Sequence, residues 1–99
     1  VVDGGASMRC ALLGDMIAQS GVDNGWAGVI VYGCVRDVDD MGNMPIGVQA
    51  LGAIPRKSNR KGVGDVGVTI NFGGITINNG DFVYADNNGI ILSQKSLID

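Results

Sequence analysis

A short run of charged residues, Arg36-Asp37-Val38-Asp39-Asp40, could support metal and anion chemistry. Its three carboxylates could hold a hard divalent cation, and Mg²⁺ suits such a run because it accepts few protein carboxylates and keeps several waters. The guanidinium of Arg36 has a planar fork that matches a substrate carboxylate or enolate oxygen. The alternative interpretation is a solvated acidic turn with a local ion pair to Arg36.

A second candidate is Gly14-Asp15-Met16-Ile17, at the expected start of regular helix. Free backbone N–H groups at a helix N-terminus favour anions, and glycine permits a ligand to approach the backbone closely. These residues could therefore receive an anionic group. The alternative interpretation is an ordinary flexible residue at a helix start.

A helix and a strand must position these two runs. Apolar residues with helical spacing predict a helix over residues 11–20, which Gly21 would end. The continuous β-branched run at residues 28–32 predicts a strand covered on both faces, after which Gly33 would lead into a polar turn. Helix, buried strand and polar turn form an α/β unit, and ligands commonly bind at the carboxyl ends of such strands.

The second half of the chain is predicted to be rich in strands, at residues 46–54, 66–72, 75–77, 82–84 and 90–92. The Asn79-Gly80 pair is a hairpin signal, so the two strands that flank it are expected to pair with each other. A last strand pair is expected around the turn at residues 85–89. The predicted fold is mixed α/β with strands prevailing.

The composition limits the function classes. The 99 residues fit one domain, and 45% hydrophobic with 17% charged residues excludes a disordered polar chain. A net charge of -3 argues against nucleic acid as the main partner, since duplex binding neutralises phosphates with Lys and Arg. Because the chain has no histidine, its chemistry must rest on carboxylates, Arg, Lys, Tyr, Cys or water.

Location and completeness are also expectations at this stage. Cys10 and Cys34 are too few for a disulfide framework, so we expect two small buried thiols in a reducing cytoplasm. Neither a membrane span nor a leader peptide is recognisable. The opening Val1-Val2-Asp3-Gly4-Gly5 is typical of a strand end that enters a turn, and the first residue is not Met. We therefore expect the domain to lack its N-terminal part.

Taken together, the motifs resemble the family of class II 4-hydroxy-4-methyl-2-oxoglutarate aldolases and regulators of ribonuclease activity A. That family's signature is a glycine, about twenty residues, Arg-Asp, two residues, then Glu or Asp. Here 21 residues separate Gly14 from Arg36, and Asp40 fills the last place. Residues 71–74 and 80–89 are similar to the family's C-terminal half, so the resemblance covers essentially the whole chain.

The resemblance implies a fold, a site and an assembly. The fold would be a swivelling β/β/α domain spanning residues 1–99, in a ring-shaped homotrimer or dimer of trimers with sites near subunit interfaces. Asp37 would bind Mg²⁺ or Mn²⁺ directly, and Asp40 would hold a water on that metal. Arg36 would contact the pyruvyl end of the substrate, and the amides of Gly14, Asp15, Met16 and Ile17 would receive its carboxylate.

Two functions stay open within the family. Aldolase members cleave 4-hydroxy-4-methyl-2-oxoglutarate to pyruvate and often decarboxylate oxaloacetate, through a pyruvate enolate that metal and Arg36 would stabilise. Regulator members bind and inhibit ribonuclease E instead. Asp37 favours the lyase, whereas residues 31–33 and 46–50 are similar to the regulator branch. The base for aldol cleavage is open between a water on the metal and a carboxylate of another subunit.

Three further features are interpreted as structural rather than functional. The basic loop at residues 56–62 holds four of the seven Lys and Arg residues, and a solvated loop is preferred over an acidic partner or RNA. Trp26 is expected to be a packing residue rather than an interface anchor. Asp86 is expected to organise the turn that it begins.

Overall fold

The structure is a computed structural model that describes residues 1–57, 66–72, 74–86 and 89–97. It forms two compact units, Val1–Lys61 and Gly62–Asp99. Strands make up 51% of the described residues and helices 16%, which confirms the prediction of a strand-rich α/β fold.

The first unit is a parallel three-stranded sheet with a helix in each of its two connections. Along the chain lie β1 (Val2–Leu13), α1 (Asp15–Asp23), β2 (Gly28–Val35), α2 (Val38–Gly42) and β3 (Gly47–Ala53). The sheet order is β1-β2-β3, and both pairs are parallel. As the central strand, β2 is the most continuously buried, which explains its run of apolar β-branched residues.

The core of this unit lies where the two helices meet the sheet. Its buried members are Leu13, Ala18, Val29, Val31, Val35 and Met41. Each large aliphatic side chain removed from water contributes about 1.5–3 kcal/mol, so these few residues carry much of the unit's stability. Because Leu13 and Val35 are the last residues of β1 and β2, the core also fixes where those strands end.

The helix predicted over residues 11–20 is shifted. The strand β1 continues through Leu13, and α1 begins at Asp15 and ends at Asp23. Leu12 and Leu13 match the helical spacing, but Leu13 enters the core from the strand. Gly21 does not end the helix: a Cβ there would meet Ile46 Cδ1 at 3.1 Å, so this glycine serves close packing. The left-handed glycine after the helix is Gly25, with φ +79°.

The strands predicted at residues 28–32 and 46–54 are both present, with changed bounds. The strand predicted at residues 28–32 runs on to Val35, because Gly33, Cys34 and Val35 are all buried in the sheet, and the polar turn starts only at Arg36. The strand predicted at 46–54 is confirmed as β3. Near the start, Gly5 and Ala6 have positive φ values of 66° and 59°, yet β1 continues past them with a shifted register instead of ending in a turn.

The second unit consists of two antiparallel strand pairs. The strands are β4 (Ile70–Phe72), β5 (Ile75–Ile77), β6 (Phe82–Asp86) and β7 (Gly89–Ser93). The pairs are β4 with β5 and β6 with β7. Of the strand predicted at 66–72, only the last three residues are strand, since Val66 and Val68 are exposed and unpaired in the sheet.

The hairpin predicted across Asn79-Gly80 is wrong. A turn does form there, because the Asp81 N–H donates to the Asn78 carbonyl (3.1 Å) and the Asn78 N–H donates to Asp81 Oδ2 (2.9 Å). That turn connects β5 to β6 without pairing them. The last hairpin is confirmed, and the Gly89 N–H donates to Asp86 Oδ1 at 3.2 Å, so Asp86 does organise its turn. Asn87 and Asn88 lie outside the described residues.

Three remaining predictions concern single residues or segments. Cys10 and Cys34 are both free thiols; Cys34 is buried and Cys10 half-buried. Trp26 packs on Gly21 but is 56% exposed, so it is not a core residue. In the part of the chain that the structure describes, no helix is long and apolar enough to cross a membrane. Most of the predicted basic loop lies outside the described residues, which end at Lys57 before the gap.

Candidate active site

The candidate residues lie at the carboxyl ends of two adjacent parallel strands. Leu13 at the end of β1 is in register with Val35 at the end of β2. The next residues are therefore neighbours, and the Arg36 N–H donates to the Leu13 carbonyl at 2.9 Å. Parallel pairing thus brings Gly14 to Arg36 and Asp37, although 21 residues separate Gly14 from Arg36 in the sequence.

Asp37 links the two strand ends. Its Oδ2 accepts a hydrogen bond from the Asp15 N–H at 3.2 Å and lies 3.4 Å from Arg36 Nη1. The side chains of Arg36 and Asp37 are 25% and 28% exposed, so solvent and small molecules can reach both. Of the four backbone amides predicted to bind a substrate carboxylate, that of Asp15 already has a carboxylate acceptor within the chain.

Residue 14 has to be glycine because there is no room for a side chain, not because of its backbone conformation. Its φ of -131° and ψ of -169° are extended and open to any residue. A Cβ built on it, however, would lie 2.8 Å from Arg36 Nε and 2.9 Å from Asp37 Oδ2. The absence of a side chain at residue 14 therefore lets the guanidinium and the carboxylate pack directly against the start of α1.

The backbone of Asp37 is also unusual. Its φ of 55° and ψ of 42° place it in the left-handed region, which costs a residue with a side chain roughly 1–2 kcal/mol. Asp37 takes this conformation as the N-cap residue of α2. The Met41 N–H of that helix donates to the Asp37 carbonyl at 3.0 Å. Such strain is found preferentially at functional sites, and here it turns the Asp37 side chain toward α1.

The start of α1 has backbone donors to offer. The Ala18 N–H donates to the Gly14 carbonyl, and Gly14 at the N-cap has no side chain that could cap the helix. By helical geometry, the N–H groups of Met16 and Ile17 have no acceptor within the helix. These donors carry the positive end of the helix dipole, which suits an anion.

The acidic residues fit a hydrated divalent cation better than a closed metal cage. Among the described residues, no group of three or more metal-ligating side chains converges on one point. Mg²⁺ and Mn²⁺ need few protein carboxylates, and Mg²⁺ usually keeps several waters. Asp37 and Asp40 are the carboxylates that the sequence predicted for this role, and Asp40 is exposed in the first turn of α2. Asp39 is exposed on the same short helix.

The structure adds one residue that the sequence interpretation left in a solvated loop. Lys57 pairs with Ala11 in an isolated parallel bridge, and the Ala11 N–H donates to the Arg56 carbonyl at 2.7 Å. Lys57 thereby lines a small depression together with Gly14, Ile17 and Arg36. In the sequence, the charge of Lys57 was the only sign of a functional role. Its position could not be predicted, because the bridge to Ala11 joins residues that are far apart in the chain.

The comparison with protein families decides the relationship. The model of the family described as RraA-like, aldolase/RraA, matches residues 1–92. The chain belongs to the RraA-like family. Its sequence resemblance is therefore confirmed, and the Gly14, Arg36 and Asp37 cluster lies inside the matched region.

Curated relatives of this RraA-like chain carry an aldolase name given provisionally. A protein of Acinetobacter baylyi with the provisional name 4-hydroxy-4-methyl-2-oxoglutarate aldolase is 62% identical over 99 residues, 100% of this chain and 58% of that protein. A Pseudomonas aeruginosa protein of the same provisional name is 56% identical over 97 residues, 98% of this chain and 60% of that protein. The chain thus spans about three fifths of the length of these relatives.

Solved structures with this fold carry other names. A Geobacillus kaustophilus structure described as an S-adenosylmethionine:2-dimethylmenaquinone methyltransferase has a TM-score of 0.94 and 47% identity, covering 98% of this chain and 61% of that one. The RNA-processing inhibitor RraA of Thermus thermophilus has a TM-score of 0.90 and 41% identity, covering 98% and 62%. Since one fold carries three kinds of name, function has to be argued from the site.

Proposed function

We propose that this RraA-like chain belongs to a divalent-metal-dependent lyase that releases pyruvate from 4-hydroxy-4-methyl-2-oxoglutarate and decarboxylates oxaloacetate. The observation that carries the proposal is the cluster of Gly14, Arg36 and Asp37 at adjacent strand ends. It combines an accessible guanidinium and an accessible carboxylate with the amides of Met16 and Ile17, which have no acceptor within the helix. The provisional aldolase names of the curated relatives support the same reaction class.

Arg36 is the group that meets the developing charge. In both reactions a carbon–carbon bond breaks and its electron pair enters a pyruvate enolate, whose negative charge rests on the former keto oxygen. A proton from water then gives pyruvate. A fixed guanidinium beside that oxygen stabilises the charge as it forms, because a preorganised donor needs no reorganisation at that moment. The ion pair with Asp37 and the contact with Gly14 hold the guanidinium in place.

The substrate's own carboxylate has a separate binding place. The N–H groups of Met16 and Ile17 at the start of α1 can donate to it, and the helix dipole favours its charge. Asp37, with Asp40 through a water, would hold Mg²⁺ or Mn²⁺. When bound, such a cation acts as a Lewis acid toward the keto oxygen. Aldol cleavage also removes a hydroxyl proton, which decarboxylation does not require.

A coupled pyruvate assay tests the proposal. Full-length protein is supplied with each substrate in Mg²⁺ or Mn²⁺, with a chelator as the control. We expect metal-dependent pyruvate release that an Arg36→Ala variant loses by roughly 100-fold or more, the scale for removing one transition-state donor. Wild-type protein that turns over neither substrate with either metal would contradict the lyase.

The second candidate is a regulator that binds ribonuclease E or a related partner. The observation in its favour is the 41% identity to the RNA-processing inhibitor of Thermus thermophilus. Residues 31–33 and 46–50, which are similar to that branch, lie in β2 and at β3. A pull-down against such partners, with Asp37→Ala alongside, separates the two functions. Binding that ignores Asp37 in a protein without lyase activity would favour the regulator.

A further inference from the structure

The depression beside the candidate cluster has a second positive charge. It is lined by Ala11, Leu12, Leu13, Gly14, Ile17, Arg36 and Lys57. Both of the charged residues in this lining are cations. The five other lining residues are uncharged, so an anionic group at this depression would meet two positive charges, of which Arg36 is already paired with Asp37.

Backbone hydrogen bonds hold Lys57 at this place. After β3 the chain passes the end of β2, where the Ile54 N–H donates to the Val35 carbonyl at 2.9 Å. It then reaches β1, where the Ala11 N–H donates to the Arg56 carbonyl at 2.7 Å and Ala11 pairs with Lys57. The segment from Ile54 to Lys57 therefore crosses the same strand ends that present Arg36 and Gly14.

The two cations differ in what they already bind. Arg36 is paired with Asp37 at 3.4 Å. Within the part of the chain that the structure describes, no carboxylate is paired with Lys57. An ammonium on a flexible stem acts as a point charge that reaches a carboxylate without a fixed orientation. Lys57 is thus available to an anionic group that Arg36 and the helix amides do not bind.

We propose that Lys57 binds the second carboxylate of 4-hydroxy-4-methyl-2-oxoglutarate, which stays on the other product when the carbon–carbon bond breaks, and so selects dicarboxylic keto acids over pyruvate-like monocarboxylic ones. The identity of the ligand rests on the proposed function. The charges agree with this: in the proposed site the helix amides receive the first carboxylate and Arg36 faces the enolate oxygen, which leaves Lys57 for the second carboxylate of 4-hydroxy-4-methyl-2-oxoglutarate. Lys57 is a specificity residue here and takes no part in bond breaking.

Binding of two unreactive probes tests the assignment apart from catalysis. The probes are 2-oxoglutarate, which has the second carboxylate but no C4 hydroxyl, and pyruvate, which lacks that carboxylate. Titration calorimetry on full-length protein with Mg²⁺ compares wild type with Lys57→Gln and Lys57→Arg. We expect Lys57→Gln to weaken 2-oxoglutarate binding by about threefold to fivefold, the scale of one partly exposed charge pair, while pyruvate changes by less than about twofold. Lys57→Arg should retain most of the affinity.

Arg9→Gln is the matched control, since it removes one positive charge from an exposed residue of β1 that does not line the depression. Its affinities for both probes should stay at the wild-type level. Equal weakening of the two probes in Lys57→Gln, no weakening of either, or a wild type that binds 2-oxoglutarate no more tightly than pyruvate would overturn the assignment. If 2-oxoglutarate binding depends on Lys57 but no pyruvate is released from either substrate, the lyase fails and the assignment stands.

Discussion

At the scale of single residues, the site depends on the lack of a Cβ atom at Gly14. Gly14 has an ordinary extended backbone, yet a Cβ there would come within 3 Å of both Arg36 and Asp37. The two side chains can occupy the start of α1 only because residue 14 has no side chain. The glycine therefore acts as a positioning residue for the guanidinium and the carboxylate.

Gly14→Ala should consequently impair catalysis in a protein that still folds. We expect pyruvate release to fall at least about tenfold, since displacing a positioned group by about 1 Å can cost 100-fold. Overpacking should lower the free energy of unfolding by about 1–3 kcal/mol, measured by urea denaturation. The control is Gly42→Ala, because a Cβ on Gly42 meets no atom within 4 Å. Equal activity in the two variants would show that residue 14 does not position Arg36.

Asp37→Asn separates the charge of residue 37 from its shape. Asparagine tolerates the left-handed conformation and can still accept the Asp15 N–H, so the local fold should be kept. Loss of the negative charge should weaken Mn²⁺ binding at least about tenfold, as one carboxylate of a site with few carboxylates is removed. Electron paramagnetic resonance of free Mn²⁺ measures this directly. Asp23→Asn, at the exposed end of α1, should bind Mn²⁺ like the wild type; unchanged binding in Asp37→Asn would exclude this residue as a ligand.

At the scale of elements, each helix is held to the sheet by few buried side chains. The only buried residue of α2 is Met41, 4% exposed, and the helix is five residues long. So short a helix is unstable alone, and its stability comes from packing. Since Asp37 begins this helix, the packing of Met41 also supports the site.

Met41→Ala should therefore destabilise the fold. The loss of a buried methionine side chain costs about 2–5 kcal/mol of unfolding free energy through lost burial and the cavity that remains. Met16→Ala is matched in chemistry, but Met16 is 73% exposed, so its unfolding free energy should change by less than about 0.5 kcal/mol. Urea denaturation of both variants measures the difference. Similar midpoints would mean that α2 contributes little to the stability of the first unit.

At the scale of the whole molecule, the exposed apolar residues favour association. Side chains that are at least half exposed include Met8, Met16, Trp26 and Leu51. In the described part of the first unit, β1 and β3 are the outer strands of a three-stranded sheet. Outer strands and apolar surface are commonly protected by closed symmetric assembly.

We accordingly expect the full-length protein to be a homotrimer or a dimer of trimers. Light scattering at micromolar concentration should give three or six times the mass of one chain. Association would also allow a carboxylate of another subunit to serve as the base for aldol cleavage. A monomer mass in a fully active sample would contradict this prediction.

The sequence by itself determined the local features of this protein. The apolar β-branched run of β2, the strand at β3 and the turn begun by Asp86 are encoded by adjacent residues, so their patterns predicted them. The spacing of Gly14, Arg36 and Asp37 was also sufficient to predict that they lie together, because it matches a family motif.

Only the tertiary structure decided the non-local features. Asn79-Gly80 specifies a turn but not which strands pair. The alternating side chains of β5 are compatible with pairing to β4 or to β6, and the structure pairs β5 with β4. Leu12 and Leu13 fit a helical and a strand pattern equally, and burial of Leu13 in the core selects the strand. Lys57 reaches the depression through a bridge to Ala11, 46 positions earlier, which no local pattern encodes. Short-range propensity thus sets the elements, whereas pairing and packing between distant residues set the site.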